Sequence, residues 1–259
     1  MNDASSRRAT RIRHDALVAL LQDGVNGVEA LAGQVGVSAS TVRRDLARLQ
    51  REGRIARTYG GALVRDGFTE RSYGESAQLH QAAKAAIAQE AVGLVPPGGT
   101  VFLDAGTTCV ALARRLVDRG PLTVVTRGLE AAQLLVRAQG VDVTLLGGEV
   151  RPLSHGLVGP LASLALQRLS FDVAFLGADA VDPVSGLGEP TPEETYVKEA
   201  AASRARAVVL LADGSKIGSA TLPAWLPLGP GWTLVTDASA PAAALDQLRG
   251  DGVRVVTVD

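Results

Sequence analysis

The sequence predicts an α/β protein in two parts: a small module of three helices and a β-hairpin, then a larger domain on a mainly parallel sheet. Three observations carry this reading. Charge is divided, with twelve arginines against eight acids in residues 1–71 (net +4) and fourteen basic residues against nineteen acids in 72–259 (net -5), inside a total of -1. Apolar positions recur at helical spacing to about residue 50 and then give way to a hairpin pattern closed by paired glycines. From about residue 80, seven β-branched apolar runs alternate with stretches of helical pattern. A chain of 259 residues, 46% hydrophobic, can bury two cores, and the division is placed between residues 71 and 72. One cysteine excludes an intramolecular disulfide. With no signal-peptide pattern and no apolar run of about 18 residues, a soluble cytoplasmic protein without a membrane partner is expected.

The first eight or so residues are expected to fray. In "RIRHDALVALLQ", residues 11–22, Ile12, Ala16, Ala19 and Leu20 share one stripe, broadened by Leu17 and Leu21. Residues 28–35 give a second short helix with Leu31 and Val35 inward. Ser38 then caps a third, in which Val37 staples against Val42 while Val42, Leu46 and Leu49 form the inner face. Thr41 stands where a glutamate would complete a capping box.

The remaining faces of the third helix present Ser40, Thr41, Arg43, Arg44 and Arg48. A polar start followed by arginines suits a helix that enters the major groove of double-stranded DNA while later cations meet phosphates. "GRIARTYGGAL" reads as a hairpin whose glycines allow a tight turn and whose Arg54 and Arg57 approach the DNA backbone. An arginine-rich solvent face would explain the third helix alone. Cap, arginine-rich helix and hairpin in succession favour a winged helix-turn-helix, with Ser38, Ser40, Thr41, Arg43, Arg44, Arg48, Arg54 and Arg57 as its DNA-binding residues. His14, His80 and His155 have no metal-site spacing, so no metal is expected, and His14 reads as a surface or helix-packing residue.

In the larger part, "TVFLD", "LTVVT", "DVTLL", "DVAFLG", "AVVLLAD", "WTLVT" and "VRVVTV" read as buried parallel strands, with helices over 107–118, 128–138, 160–169, 192–204 and 241–249. Such sheets bind ligands beyond the carboxyl ends of their strands. At the first exit, "FLDAGTTC", Gly106 permits a sharp turn, and Thr107, Thr108 and the amides that open the next helix can surround a phosphate. A plain helix cap with a structural Asp104 explains the stretch equally well, and the spacing is neither a nucleotide P-loop nor a dinucleotide fingerprint. Later exits bring Thr126, Arg127, Gly147, Gly148, Gly177, Asp179, Asp213 and Lys216. Glu194 and Lys198 lie one helical turn apart and can pair.

The three lysines, Lys84, Lys198 and Lys216, all lie in this part, where each can meet an anionic sugar or phosphate; for Lys84 a surface ion pair is equally open. Cys109 reads as buried packing rather than a nucleophile. Acids and lysines together could also serve an aldose–ketose isomerisation, although no spacing demonstrates it. A hinge is expected in the polar segment 65–84.

Across residues 11–259 the chain resembles the DeoR family of bacterial transcriptional regulators. The resemblance is carried by "LAGQVGVSASTVRRDLARLQREGRIARTYGGAL", "FLDAGTTC", "LTVVTRGL", "LLGGEVRPLSHGLVGPLA", "AFLGADAVDPVSGL", "PEETYVKEA" and "LLADGSKIG", in family order. It implies a rear domain similar to sugar-phosphate isomerases that senses a phosphorylated sugar or related metabolite, most often to relieve repression of catabolic genes. It also places Thr41, Arg43 and Arg44 on the DNA-reading helix, Asp104, Gly106, Thr107 and Thr108 on an anion loop, and Asp179, Glu194, Lys198 and Lys216 in the effector pocket. The chain departs from the family pattern at Tyr59, where the wing commonly has histidine, at "TRG" (126–128) for "TNS", at Cys109, and at "DGSK" for "DSSK". Arg127 either adds an anion contact or fills space. The related isomerases carry an aspartate three residues before the counterpart of Asp179, where this chain has Leu176.

The expected protein is therefore a homo-oligomeric, cofactor-free DNA-binding regulator, not an enzyme. Its effector site comprises Asp104, Gly106, Thr107, Thr108, Thr126, Arg127, Asp179, Glu194, Lys198 and Lys216. The alternatives are a sugar-phosphate isomerase with an accessory DNA-binding domain, or a DNA-binding structural protein that does not switch.

Overall fold

The computed structural model describes residues 3–22, 25, 27–51, 55–58, 61–64, 70–218 and 220–259. They fall into two compact units, Met1–Glu70 and Arg71–Asp259.

In the first unit, α1 (Asp3–Gln22), α2 (Val28–Val35) and α3 (Ala39–Arg51) precede β1 (Ile55–Thr58) and β2 (Gly61–Val64), which pair antiparallel with Thr58 opposite Gly61. α1 extends to Asp3, in the stretch expected to fray; its alanines and arginines are good helix formers. Its buried face also differs from the expected stripe. His14, Leu17 and Leu21 point inward, whereas Ile12 is 61% exposed and Ala19 is exposed. The reason is polar: His14 Nε2 meets Asp45 of α3 at 3.1 Å, which turns the helix toward the 14/17/21 face. Leu17, Leu31, Val42, Leu46, Leu49 and Ile55 complete this core, and Val37 packs against it.

The second unit opens with two helices, α4 (Tyr73–Gln78) and α5 (Gln81–Ala91), where a polar hinge was expected. Residues 65–69 of that segment lie outside the described residues. Ser72 and Glu75 form a capping box on α4, and Ile87, Ala88 and Ala91 of α5 are buried, so this stretch is built into the domain. Its alternation of alanine with polar residues hid that pattern.

The rest alternates strand and helix: β3 (Thr100–Leu103), α6 (Thr107–Leu116), β4 (Leu122–Thr126), α7 (Leu129–Leu135), β5 (Val141–Leu145), β6 (Glu149–Val150), β7 (Leu157–Val158), α8 (Pro160–Leu166), β8 (Phe171–Leu176), β9 (Ala180–Asp182), β10 (Gly186–Glu189), α9 (Pro192–Ser203), β11 (Ala205–Leu211), β12 (Ala224–Leu226), β13 (Thr233–Asp237), α10 (Ala242–Gly250) and β14 (Arg254–Val258). The seven apolar runs form one wholly parallel sheet in the order β14-β13-β11-β8-β3-β4-β5. Alternating residues serve opposite faces: Val101, Leu103, Val173 and Phe175 pack with α5, α6 and α7, while Phe102, Ala174 and Leu176 pack with α8, α9 and α10.

The order places a topological switch point between β3 and β8. The chain runs outward from β3 to β5, returns to lay β8 beside β3, and runs outward again to β14, so the crevice beyond these two strands is where such a sheet takes a ligand. The strands β6, β7, β9, β10 and β12 are too brief to show a sequence period; β10 brings Glu189 to that crevice, and the loop between β6 and β7 brings Ser154. The β9–β10 turn is fixed by Asp182 Oδ1, which accepts from Val184 N (2.9 Å) and Ser185 N (2.6 Å). Gly186 follows at φ +99°, where a Cβ would collide with the Leu226 carbonyl. Gly186→Ala is expected to lower the unfolding free energy by at least about 2 kcal/mol in urea denaturation; an unchanged midpoint would contradict this account of the turn.

Candidate functional site

On α3, Ser38 Oγ accepts from Thr41 N at 3.2 Å and contacts the Ser40 and Thr41 hydroxyls, both at 2.9 Å, so the helix start carries a compact hydroxyl cluster. Ser40, Arg43, Arg44 and Arg48 are exposed. Arg44 Nε reaches Ser40 O at 3.4 Å, and Arg43 Nη2 donates to Glu29 of α2 at 3.1 Å, an exposed pair that holds its arginine only weakly. Arg57 lies on β1, although its side chain is outside the described residues; Arg54 and Tyr59 are outside them altogether. Asp45, which sequence reasoning passed over, anchors this helix from behind. It accepts from Arg13 Nε (2.7 Å) and Nη2 (3.3 Å) besides meeting His14. Burial pushes its carboxyl up, but the bonds from Arg13 and His14 outweigh burial and hold it below the usual range.

At the switch point the chain leaves β3 through Asp104 and turns at Gly106, φ +101°. No side chain caps α6, so its first amides open onto a cleft of about 60 Å³. Thr107, Thr108, Arg127, Asp179, Glu194, Lys198 and Lys216 line that cleft, joined by Cys109, Ser154 and Glu189.

Asp104 lies beneath this lining with no exposed surface. Its carboxylate accepts from Ala105 N (2.8 Å) and Gly177 N (3.0 Å) and pairs with Lys198 Nζ at 3.0 Å and with Arg127 Nε. It therefore neither caps α6 nor lines the cleft. Burial alone would raise its pKa, yet Arg127 and Lys198 hold it at about 2. Thr126 is also beneath the lining, its hydroxyl accepting from Gly128 N at 3.0 Å.

Glu194 and Lys198 do not pair as expected, because each has a stronger call on its charge elsewhere. Lys198 Nζ bonds Gly177 O (2.8 Å) and Glu189 (2.5 Å) as well as Asp104. Glu194 accepts from Ser154 Oγ (2.9 Å) and Thr191 Oγ1 (3.2 Å) and faces Arg151 Nε at 3.3 Å and Arg127 Nη1 at 3.7 Å. Burial pushes the Glu189 carboxyl up to about 8 against the pull of Lys198, with help from Asp179 and Glu194. Lys216 Nζ donates to Ala178 O at 2.5 Å and lies 3.4 Å from Asp179.

Lys84 departs from both expectations. It is buried and donates to Ser76 O (2.6 Å) and Leu79 O (2.9 Å), closing the carboxyl end of α4; burial lowers its pKa. Asp213 accepts from Ser215 N at 3.3 Å and fixes the turn before Lys216. Cys109 is buried, and burial raises its thiol far above the reactive range. The residues missed in sequence, Ser154, Glu189 and Arg151, stand on short strands or loops and have no periodic signal.

Arg127 is fully buried, its Nε on Asp104, yet its Nη1 has no hydrogen-bond partner. Gly156 makes room for it, since a Cβ there would collide with Nη1. An unmet guanidinium donor in a polar cleft is a group that a ligand oxygen can complete. A larger apolar groove of about 650 Å³ lies along α8 and α9, with Pro160, Leu164 and Tyr196 in its wall, and carries no convergent set of charges.

The sequence matches the family described as DeoR-like helix-turn-helix domain over residues 13–67 and that described as DeoR C terminal sensor domain over 79–238. It is 33% identical to the putative aga operon transcriptional repressor of Escherichia coli O157:H7 over 95% of this chain and 93% of that protein. It is 35% identical to the HTH-type transcriptional regulator GlpR of Haloferax volcanii over 94% and 96%. The glycerol-3-phosphate regulon repressor of Escherichia coli K12 is 29% identical over 91% and 94%. Among solved structures, ribose 5-phosphate isomerase A from Methanocaldococcus jannaschii is similar over 53% of this chain and 54% of its own, at 22% identity and a TM-score of 0.40.

Asp104→Asn removes the buried carboxylate shared by Arg127 and Lys198 and is expected to cost roughly 3–5 kcal/mol in chemical denaturation at pH 7. Because the folded carboxyl sits at about 2, below its ordinary 3.8, its contribution is fully present above that ordinary value and fades as pH falls from there toward 2. The gap between wild type and variant should thus be constant from pH 7 to 5 and narrow below about pH 4; a gap constant down to pH 3 would contradict the assignment.

Proposed function

The chain belongs to the DeoR family of DNA-binding transcriptional regulators, and on that premise we propose that it represses genes of sugar or related carbon metabolism under the control of a phosphorylated metabolite held between β3 and β8. The observation that carries the effector reading is the buried Nη1 of Arg127, which lies 3.7 Å from Glu194 without a hydrogen bond, in the same cleft as the uncapped start of α6. The α6 amides, Gly106, Thr107 and Thr108 take the phosphate, with the Lys216 ammonium beside it. Arg127 donates to a ligand oxygen, while Asp179, Glu189 and Glu194 accept from its hydroxyls. Asp104, Thr126 and Lys198 hold these groups in place from below.

On DNA, Ser38, Ser40, Thr41, Arg43 and Arg44 face base edges and nearby phosphates, and Arg48, Arg54 and Arg57 face phosphates. A homo-oligomer presents two such heads to a repeated or palindromic operator, which raises discrimination without new contacts. The names of the aga operon and glycerol-3-phosphate regulon repressors support repression as the direction of control. Turning occupancy nearly fully off requires about 5.5 kcal/mol of differential effector binding. An isomerase reading is disfavoured because Leu176, buried in the core, occupies the place of an acid in the related isomerases. A non-switching protein has no use for a buried guanidinium N–H without a hydrogen-bond acceptor in a polar cleft.

The test is fluorescence anisotropy on DNA upstream of the chain's own gene and neighbouring operons, repeated with a panel of sugar phosphates. One compound should weaken specific binding. Arg44→Ala should lower operator affinity about tenfold or more, Arg48→Ala should reduce the salt slope by about one, and Lys216→Met should bind operator normally but respond poorly. Unchanged affinity in both Arg43→Ala and Arg44→Ala would reject this helix face, and sustained isomerisation of a sugar phosphate by the purified protein would reject the regulator-only reading.

A further inference from the structure

The hairpin formed by β6 and β7 touches the effector cleft on one side and the first helix after the DNA-binding unit on the other. On the cleft side, Ser154 donates to Glu194 at 2.9 Å, Arg151 lies 3.3 Å from the same carboxylate, and Gly156 stands against Arg127 Nη1. Leu157 N also donates to Arg127 O at 2.8 Å. A ligand that engages Arg127 or Glu194 therefore meets groups bonded directly to this hairpin.

On the other side, the His155 ring stacks on Tyr73, with centroids 5.3 Å apart and planes 17° from parallel. Tyr73 N donates to Leu153 O at 2.6 Å. His155 is held for this contact. Its Nδ1 bonds Glu130 of α7, its carbonyl accepts from Leu129 N at 3.4 Å, and its backbone adopts φ +56°, a left-handed conformation that histidine, like asparagine and aspartate, tolerates better than most residues. Nothing in effector binding itself uses the His155 ring, which is absent from the cleft wall.

Tyr73 begins α4, and α4 is locked at both ends. Ser72 and Glu75 cap its start, and the buried ammonium of Lys84 bonds the carbonyls of Ser76 and Leu79 at its finish. A short helix is thereby fixed at both ends, and in sequence it directly follows the DNA-binding unit.

We propose that residues 151–157 relay effector occupancy to α4 through the His155–Tyr73 stack, making these two residues the coupling between ligand and operator rather than part of either binding site. The relay rests on the effector reading above. Coupling of this kind is a free energy shared by two sites, so it can be removed while both affinities survive.

The experiment measures three quantities on the full chain: affinity for operator DNA, affinity for the sugar phosphate that proves most effective in the panel, and the change in operator affinity at saturating sugar phosphate. In wild type that change is expected within the roughly 5- to 150-fold range of ordinary allosteric coupling. His155→Asn accepts the same backbone conformation, and Tyr73→Leu keeps apolar bulk. In both, the change should fall to about twofold or less while each separate affinity stays within about threefold of wild type. Tyr73→Phe, which keeps the stack, should restore the response.

Full response in His155→Asn and Tyr73→Leu would overturn the relay. Loss of sugar-phosphate affinity in His155→Asn would overturn it too, by placing His155 in the binding site. A wild-type protein whose operator affinity no panel member alters would instead overturn the effector reading, and the relay with it.

Discussion

Much of the second unit is organised around one fully buried carboxylate. Asp104 leaves the end of β3 with no exposed surface, and its charge is matched by Arg127 from the end of β4, Lys198 from α9 and the amides of Ala105 and Gly177. Removing any partner would leave a charge in low dielectric, so three separate segments are obliged to converge. Lys198 in turn brings Glu189 of β10, and Arg127 faces Glu194. A single side chain thus specifies where strands, helix and hairpin meet. That meeting is the floor of the cleft.

The parallel sheet supplies the other half of the arrangement. Its switch point lies between β3 and β8, so both strands deliver their exits to one crevice, and α6 starts there with its amides uncapped. Apolar packing on both faces fixes the strands, leaving the exits to carry polar chemistry. In the first unit the same logic runs with a different carboxylate. Asp45 ties α3 to α1 from the inside through Arg13 and His14, so that the outer face of α3 can be given over to hydroxyls and arginines.

What the sequence disclosed follows from range. Every strand of the main sheet was visible as an apolar β-branched run, the half-exposed edge strands β5 and β14 included, and the stretches between them could be read as helical. The positions of Thr107, Thr108, Arg127, Asp179 and Lys216 at strand exits followed from that frame. Their partners did not. Asp104 and Thr126 were expected in the effector site and lie beneath the lining of the cleft, since whether a carboxylate faces a cleft or a buried guanidinium depends on residues 23 and 94 positions away. Glu194 and Lys198 looked like a pair at helical spacing, yet each meets a closer opposite charge contributed by another element. Lys84 and the helices α4 and α5 were obscured by an alanine-rich polar stretch whose apolar face is too small to stand out. Short strands such as β6 and β7 have no period to read, so the hairpin that joins cleft to α4 emerged only in three dimensions.

The most direct test of the central claim is hydrogen exchange of the full chain with and without the sugar phosphate that alters operator binding. Ligand held between β3 and β8 should slow the amides of residues 106–109 most, with smaller protection at 154–157, because these groups gain bonds or lose motion on binding. Protection confined to the apolar groove along α8 and α9, with residues 106–109 unchanged, would place the effector elsewhere and contradict the account.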